Sequence, residues 1–468
     1  MSIQQNAMKK LSLLLSVACM FLLCANTVNA QSVVSVNSNG QIVFNDSLFF
    51  PVGPYNLRAD SGWTQDLNDC YAAGFNTMFI KNPSSSAILD QANEKGMKVI
   101  IESDEVNQSH DFAYCNTYKN HPALIGWIIG DDVQASYANC SVSELQTRHN
   151  GVKAVDPNHI TMSTGFRATG YGDYSPYIGV CDLNGLYAYP IGNSGNMNQV
   201  DMDMSWGRSY SNSNMGIPQM FKWDFSSTIP TAAEYRCMVY QLIINNVNGS
   251  LGYVWYDGGS YLPNYTGMYN EVKLVNPELK NAEFITAKMA GTFARCNTGV
   301  SSDASGVKAA KWLYNGITYV VVVNTATSSQ SANITLPSGL GTKTSMFSRL
   351  PNTLIYSGTA LTGTMAGLEV QVIKISSPVT DIRIKNRWEP TNDNEIEVYP
   401  NPATSFITVS NVPANTNISA FTMEGNLVSK ISVHDNTANF DVKSWNKEMY
   451  FLQVQSENSV IVKKVIVE

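Results

Sequence analysis

His121–Val133 reads HPALIGWIIGDDV. A polar helix exit (KNHP, 119–122) leads into an unbroken apolar run, which ends in two adjacent carboxylates, Asp131 and Asp132. A short continuous apolar run is the pattern of a parallel strand buried on both faces. The carboxyl end of such a strand is where α/β barrels place their chemistry. The stretch therefore predicts a fold and a site together.

The same pattern repeats on either side. Apolar runs occur at 49–55, 76–80, 98–101, 124–129, 160–164, 180–188, 217–223 and 251–256. Amphipathic stretches at 64–73, 85–95, 112–119, 141–155, 231–247 and 272–293 separate most of them. Strands that alternate with helices pair in parallel, and eight of them close a (β/α)8 TIM barrel of about 250 residues. Ahead of the first run, 33–44 alternates around Asn39-Gly40 and reads as a hairpin. The barrel with its N-terminal hairpin is thus expected over 31–296. From 297 to 377 helical periodicity is lost and short β segments (KWLYNGITYVVVVN, 311–324) predict an antiparallel β-sandwich. Residues 378–394 are polar and irregular and read as a linker, and 395–468 is all β again.

Composition narrows the class. The chain has 468 residues, 44% hydrophobic and 14% charged, which suits folded domains and excludes disorder. Net charge is −7 and no Lys/Arg run occurs, so neither nucleic acid nor an anionic membrane surface is an expected partner. Residues 1–30 read as a signal peptide. Lys9-Lys10 form the basic region, 11–24 the apolar region, and Val28-Asn29-Ala30 the cleavage site. The apolar run is short for a membrane span, and no stable span is expected. Beyond the leader, Cys70, Cys115, Cys140, Cys181, Cys237 and Cys296 leave the disulfide pairing open. They read mainly as small buried hydrophobes. No CxxC or His-containing ligand pattern is present, so neither metal nor cofactor is expected.

Several segments in order resemble the retaining (β/α)8 glycoside hydrolases, in a divergent branch near the cellulase and β-galactosidase families. FFPVGPYN (49–56) is similar to the first strand of that group, and HPALIGWIIGDDV to its fourth. VDPNH (155–159) matches the helix exit that follows, CDLNGLYAYP (181–190) resembles the sixth strand, and 217–256 resembles the last two strands with the helix between them. The tail resembles the C-terminal sorting domain of the type IX secretion system of Bacteroidota. The residues that carry this are Tyr399-Pro400-Asn401-Pro402-Ala403, Gly425, Tyr450-Phe451 and Lys463-Lys464. That likeness implies handling by the secretion machinery and a secreted or cell-surface protein.

The barrel resemblance implies glycosidic bond cleavage by two carboxyl groups, one of which carries a proton near neutral pH. The family's acid/base is the Glu that ends strand four. Asp132 stands at that position, one methylene shorter. The family's nucleophile ends strand seven, where this chain reads Met220-Phe221-Lys222-Trp223-Asp224; Asp224 is the nearest carboxylate. Asp131 is the third catalytic candidate, and Asp60 and Asp104 also lie at strand ends, whereas Asp182 reads as a hydrogen-bond partner in the barrel wall. Expected substrate contacts are Tyr55, Arg58, Glu102, Tyr187, Tyr189, Lys222, Trp223, Trp255, Tyr256 and Asp257, all at or just after strand ends. Aromatic faces suit the apolar faces of pyranose rings. Two long Gly/Ser/Asn/Tyr-rich loops, 167–178 and 190–215, add aromatics to the same end. The expected function is a secreted glycoside hydrolase that acts on a polysaccharide or oligosaccharide. The alternative is a catalytically weak or inactive surface carbohydrate-binding barrel, favoured by the missing family Glu residues. N-terminal sequencing of the exported protein is expected to start at Gln31; a start at Met1 would remove the signal-peptide assignment.

Overall fold

The computed structural model describes residues 31–58, 62–167, 172–193, 195–376, 396–412, 416–422, 426–433, 435–455 and 460–468. The expected signal peptide, the linker at 378–394, Asp60 and Gly425 lie outside the described residues. The chain divides into two compact units, Met1–Pro378 and Val379–Glu468.

The first unit contains the expected eight-stranded parallel sheet. The strands in chain order are Val52–Pro54, Thr77–Lys81, Lys98–Glu102, Leu124–Gly130, Ile160–Gly165, Leu183–Tyr187, Asn214–Ile217 and Ser250–Gly252. From the second to the eighth each pairs with its sequence neighbour, and the eighth pairs with the first. Asn76 closes the remaining seam, between the first and second strands. Its N–H donates to Val52 O at 2.9 Å, its Oδ1 accepts from Val52 N–H at 2.7 Å, and its Nδ2 donates to Phe50 O at 3.0 Å. One side chain so takes the place of a missing stretch of ladder. Gly53 permits the approach, because a Cβ there would lie 2.3 Å from Thr77 O.

Successive strand residues face opposite sides. Phe79, Ile100, Ile128, Met162, Ile217 and Leu251 fill the barrel interior, joined by Val34 and Ile42 of the N-terminal hairpin. Met78, Ile101, Trp127, Ile129 and Leu186 pack outward against the helices. The helix Ala232–Ile244 starts with a capping box, Thr231 and Glu234.

Three elements differ from the sequence reading. The seventh strand ends at Ile217 rather than spanning 217–223, since Pro218 has no N–H to continue the ladder. The stretch 272–293 holds parts of two helices, Thr266–Leu279 and Ala282–Ala290, and the start of a strand. The segment 190–215 is not one loop, because it contains the helix Asn198–Tyr210. That helix buries Asn198, Asp201 and Asp203 beside Val200, Met204 and Gly207, so its inner face mixes polar with apolar side chains. Asp201 and Asn198 are satisfied from elsewhere in the unit. Asp201 pairs with Arg295 at 2.6 Å and accepts from Asn245 at 2.7 Å, and Asn198 donates to Ser302 O at 3.1 Å.

The antiparallel sandwich follows the barrel. Its five-stranded sheet starts at Thr292–Arg295, a few residues before the boundary expected at 297, because that strand pairs with Val307–Tyr314. Arg349 ties it to the barrel helix Thr266–Leu279 through Glu271 and Glu278, both at 2.7 Å. The six cysteines beyond the leader are all free, and five of them are buried.

The second unit is all β, a three-stranded and a four-stranded antiparallel sheet around Ile407, Val409, Ile418, Phe440, Leu452 and Val454. Asn401 joins its first and last motifs: Nδ2 donates to Lys464 O at 3.0 Å and Oδ1 accepts from Ile466 N–H at 2.9 Å. Among the described residues no helix is long and apolar enough to cross a membrane.

Asn76→Ala removes the seam's side-chain hydrogen bonds and leaves Val52 N–H without its acceptor. The expected cost is about 2 kcal/mol, read as a lower denaturant midpoint of the barrel transition. An unchanged midpoint would show that the seam does not depend on Asn76.

Candidate active site

The fourth strand ends in a reversal that decides where its carboxylates point. Asp132 has φ of +49°, a left-handed conformation that Asp tolerates better than most residues. Ala135 N–H then donates to Asp132 O at 2.7 Å. In an extended strand Asp131 and Asp132 would face opposite sides; here both line one cleft of about 700 Å³ at the carboxyl end of the barrel.

Thr164, at the end of the fifth strand, fixes the pair. Its hydroxyl donates to Asp131 Oδ1, and its Oγ1 accepts from Asp132 N–H at 3.1 Å. The Asp132 carboxylate accepts from two phenols, Tyr187 of the sixth strand and Tyr137 of the loop after the fourth.

Aromatic rings form the rest of the cleft. Tyr187 stacks on Tyr189 at 4.6 Å, and Tyr189 on Tyr253 at 6.0 Å. Phe221 stands edge-on to both Tyr189 and Tyr253 at 5.1 and 5.4 Å, and Trp223 stacks on Phe225 at 5.3 Å. Tyr55 Oη and Trp223 Nε1 are buried without a hydrogen-bond partner among the described residues. Both belong to side chains that line the cleft. An unmet polar atom at a pocket wall is costly unless a ligand or water meets it.

Asp131 is open to cleft solvent yet enclosed by protein. Burial, then the Asp132 charge, raises its carboxyl above the usual range; the Thr164 hydrogen bond and Lys81 offset part of this. Glu102 is also raised, by burial and then by Asp131, with Lys81 opposing from 3.6 Å. Burial, Asp131, Glu102 and Asp132 together raise the Tyr55 hydroxyl. Asp131, Tyr55 and the buried Glu102 behind them are thus all inclined to keep their protons.

Asp131, Asp132, Asp224, Asp257, Tyr55, Tyr187, Tyr189, Lys222 and Trp223 are brought together around the cleft. Asp224 stands on the loop beyond the seventh strand, is exposed, and makes no hydrogen bond or ion pair to another described residue. Asp257 accepts from the Tyr253 hydroxyl. Four expected substrate contacts lie elsewhere. Arg58 is held by Asp66 at 2.7 Å and lies over the Tyr261 ring. Trp255 is buried in the outer core between Phe75 and Tyr269, because Val254 takes the inward-facing position beside it. Tyr256 packs edge-on against Tyr261 in a surface hairpin. Glu102 is 7% exposed and does not reach the cleft wall. Asp182 accepts from Thr161 N–H at 2.8 Å and pairs with Lys153, as a wall residue would.

The cleft also holds residues that the sequence reading did not single out: Tyr137, Phe166, Arg167, Gln199, Asp203 and Tyr253. Arg167 sits in a segment read as loop, and Gln199 and Asp203 on the unexpected helix. Among the described residues no group of three His, Cys, Asp or Glu side chains is placed to hold a metal ion.

Residues 397–468 match the family described as a secretion system C-terminal sorting domain. The protein therefore carries a type IX sorting tail and is exported to the cell surface or secreted. A search of curated proteins finds no match to the sequence. Solved structures similar to the chain include an Anoxybacillus α-amylase (10% identity, 67% of this chain and 89% of that one, TM-score 0.45). A GH30 endoxylanase from Clostridium papyrosolvens has 11% identity over 75% of this chain and 98% of that one, with a TM-score of 0.43. Bacteroides uniformis β-glucuronidase 3 has 9% identity and a TM-score of 0.38; the match covers 93% of this chain but 65% of that one, less than two thirds of its length. Likenesses this distant carry no argument about activity, and the barrel rests on its own strand order.

The raised Asp131 carboxyl has a stability consequence with a defined sign. Its proton is bound more tightly in the folded state, so ionising it costs stability as pH rises from the unfolded value, about 4, through the folded one. Asp131→Asn is expected to raise Tm over the wild type at pH 8 and to leave it unchanged at pH 3. No gain at pH 8 would contradict the electrostatic account.

Proposed function

We propose that the protein is a secreted glycoside hydrolase that cleaves glycosidic bonds of a polysaccharide or oligosaccharide in the cleft around Asp131 and Asp132. One observation carries this reading: two adjacent carboxylates turn into the same aromatic-lined cleft at the carboxyl end of a (β/α)8 barrel, in contrasting surroundings. Asp131, open to the cleft, is inclined to hold a proton, whereas two phenols and the Thr164 hydroxyl fix Asp132 in place. Carboxyl groups in contrasting environments are how glycosidases divide acid and base work. Tyr189 and Trp223 offer faces for pyranose rings, and Tyr55 Oη and Trp223 Nε1 offer unmet polar atoms for sugar hydroxyls. Asp132 is the central residue for proton transfer or for stabilising the positive charge that develops on the sugar, and Asp224 and Asp257 are the carboxylates available from the loops beyond strands seven and eight.

A second reading, a carbohydrate-binding barrel with little or no hydrolysis, is favoured by Asp224. A catalytic nucleophile is held rigidly by its neighbours, and Asp224 is exposed with no described partner.

Incubation of the mature protein with a panel of neutral and acidic polysaccharides, followed by reducing-end assay, separates the two readings. The hydrolase reading predicts release on at least one polymer and a loss of roughly 100-fold or more in Asp132→Asn. Binding by the wild type without any release would leave only the binding barrel.

A further inference from the structure

Two aspartates on the helix Asn198–Tyr210 are both buried, and their surroundings differ sharply. Asp201 is 1% exposed and fully partnered, with Arg295 at 2.6 Å and Asn245 at 2.7 Å. Asp203 is 5% exposed, makes no ion pair with a described residue, and lines the cleft beside Gln199 and Arg167. Burial pushes its carboxyl up to about 7, with Arg167 and the Gln199 side chain offsetting part of the rise. A buried carboxyl costs stability unless it is paired. Asp201 has a reason in the packing of the unit; Asp203 has none in the fold itself.

The helix is a firm base for such a group. Gly207 lets it lie directly on the sixth strand, since a Cβ there would meet Leu186 Cδ1 at 2.0 Å. On its other side Asn198 accepts from the Thr325 hydroxyl at 3.1 Å. Asp203 is therefore fixed in the wall of the cleft that Asp131 and Asp132 also line.

We infer that Asp203, with Gln199 and Arg167, forms a binding subsite for the hydroxyl groups of an uncharged sugar ring next to the one that is cleaved. The inference rests on the carbohydrate reading above. Carboxyl, amide and guanidinium groups together offer donors and acceptors to vicinal hydroxyls. Once Asp203 ionises, above about pH 7, an acidic sugar would bring its charge against it, which an uncharged ring avoids. Asp203 contacts substrate in this account and takes no part in bond cleavage, so its loss weakens binding while the chemistry persists.

Kinetics on cellohexaose, mannohexaose and xylohexaose test this with wild type, Asp203→Ala, Asp203→Asn, Gln199→Ala and Asp132→Asn. For whichever hexaose the wild type cleaves, Asp203→Ala is expected to raise KM about 10-fold or more with kcat within a few-fold. Asp203→Asn, which keeps the hydrogen-bonding shape, stays near wild type, and Gln199→Ala shows a smaller rise in KM. Asp132→Asn shows the opposite split, a fall in kcat. Unchanged KM in Asp203→Ala and Gln199→Ala, with wild-type cleavage intact, overturns the subsite alone. If Asp203→Ala does not fold, unchanged KM in Gln199→Ala with a kcat loss in Asp203→Asn overturns it equally. A wild type that releases sugar from none of the polysaccharides tested above and binds none of the three hexaoses overturns the subsite and the hydrolase reading together.

Discussion

The closure of the barrel through Asn76 is the constraint on which the rest depends. A parallel sheet of eight strands keeps two open edges until its first and second strands meet, and here the strands are too short at that seam for a full ladder. The Asn76 side chain supplies both an acceptor and a donor where peptide groups would otherwise stand, and Gly53 lets the chains approach. Closure brings the carboxyl ends of all eight strands around one opening. The cleft residues come from the ends of separate strands, the loops beyond them and the helix Asn198–Tyr210, so the site exists only because the ring is closed.

The site adds a second layer to this frame. Strand geometry alone would send Asp131 and Asp132 to opposite faces. The left-handed backbone at Asp132, anchored by Thr164, turns both into the cleft. Packing and the neighbouring charge then separate their surroundings, since Asp131 resists ionisation next to a charge held by Tyr137 and Tyr187. The aromatic stack from Tyr187 through Tyr253 gives this corner a rigid apolar wall, and the sandwich steadies it from outside through Arg295 and the helix Asn198–Tyr210.

Much of this was legible because buried parallel strands leave continuous apolar runs. HPALIGWIIGDDV became the fourth strand, and its carboxylates lie at the cleft. The strand-borne aromatics Tyr55, Tyr187 and Tyr189, expected as substrate contacts, line the cleft, because each stands at or just past a strand end. What failed has common physical causes. Trp255 and Val254 differ by one position, and period-two alternation puts one outward and one inward, a parity that sequence leaves ambiguous near a strand end. Arg58 was absorbed by Asp66, a partner that only tertiary structure supplies. The helix carrying Gln199 and Asp203 hides in the sequence because Asn198, Asp201 and Asp203 interrupt the apolar row of Val200, Met204 and Gly207, which blurs the stripe that marks a helix. The sorting tail was legible from short motifs, and Asn401 shows why the first and last of them belong together.

The most direct measurement of the central claim is a crystal structure of the Asp132→Asn variant soaked with an oligosaccharide that the wild type binds. The account predicts a pyranose ring against Tyr189 or Trp223, with a glycosidic oxygen within about 3 Å of a carboxyl oxygen of Asp131 or of the substituted amide side chain at position 132. Sugar bound elsewhere on the molecule, with the cleft around Asp131 empty, would contradict it.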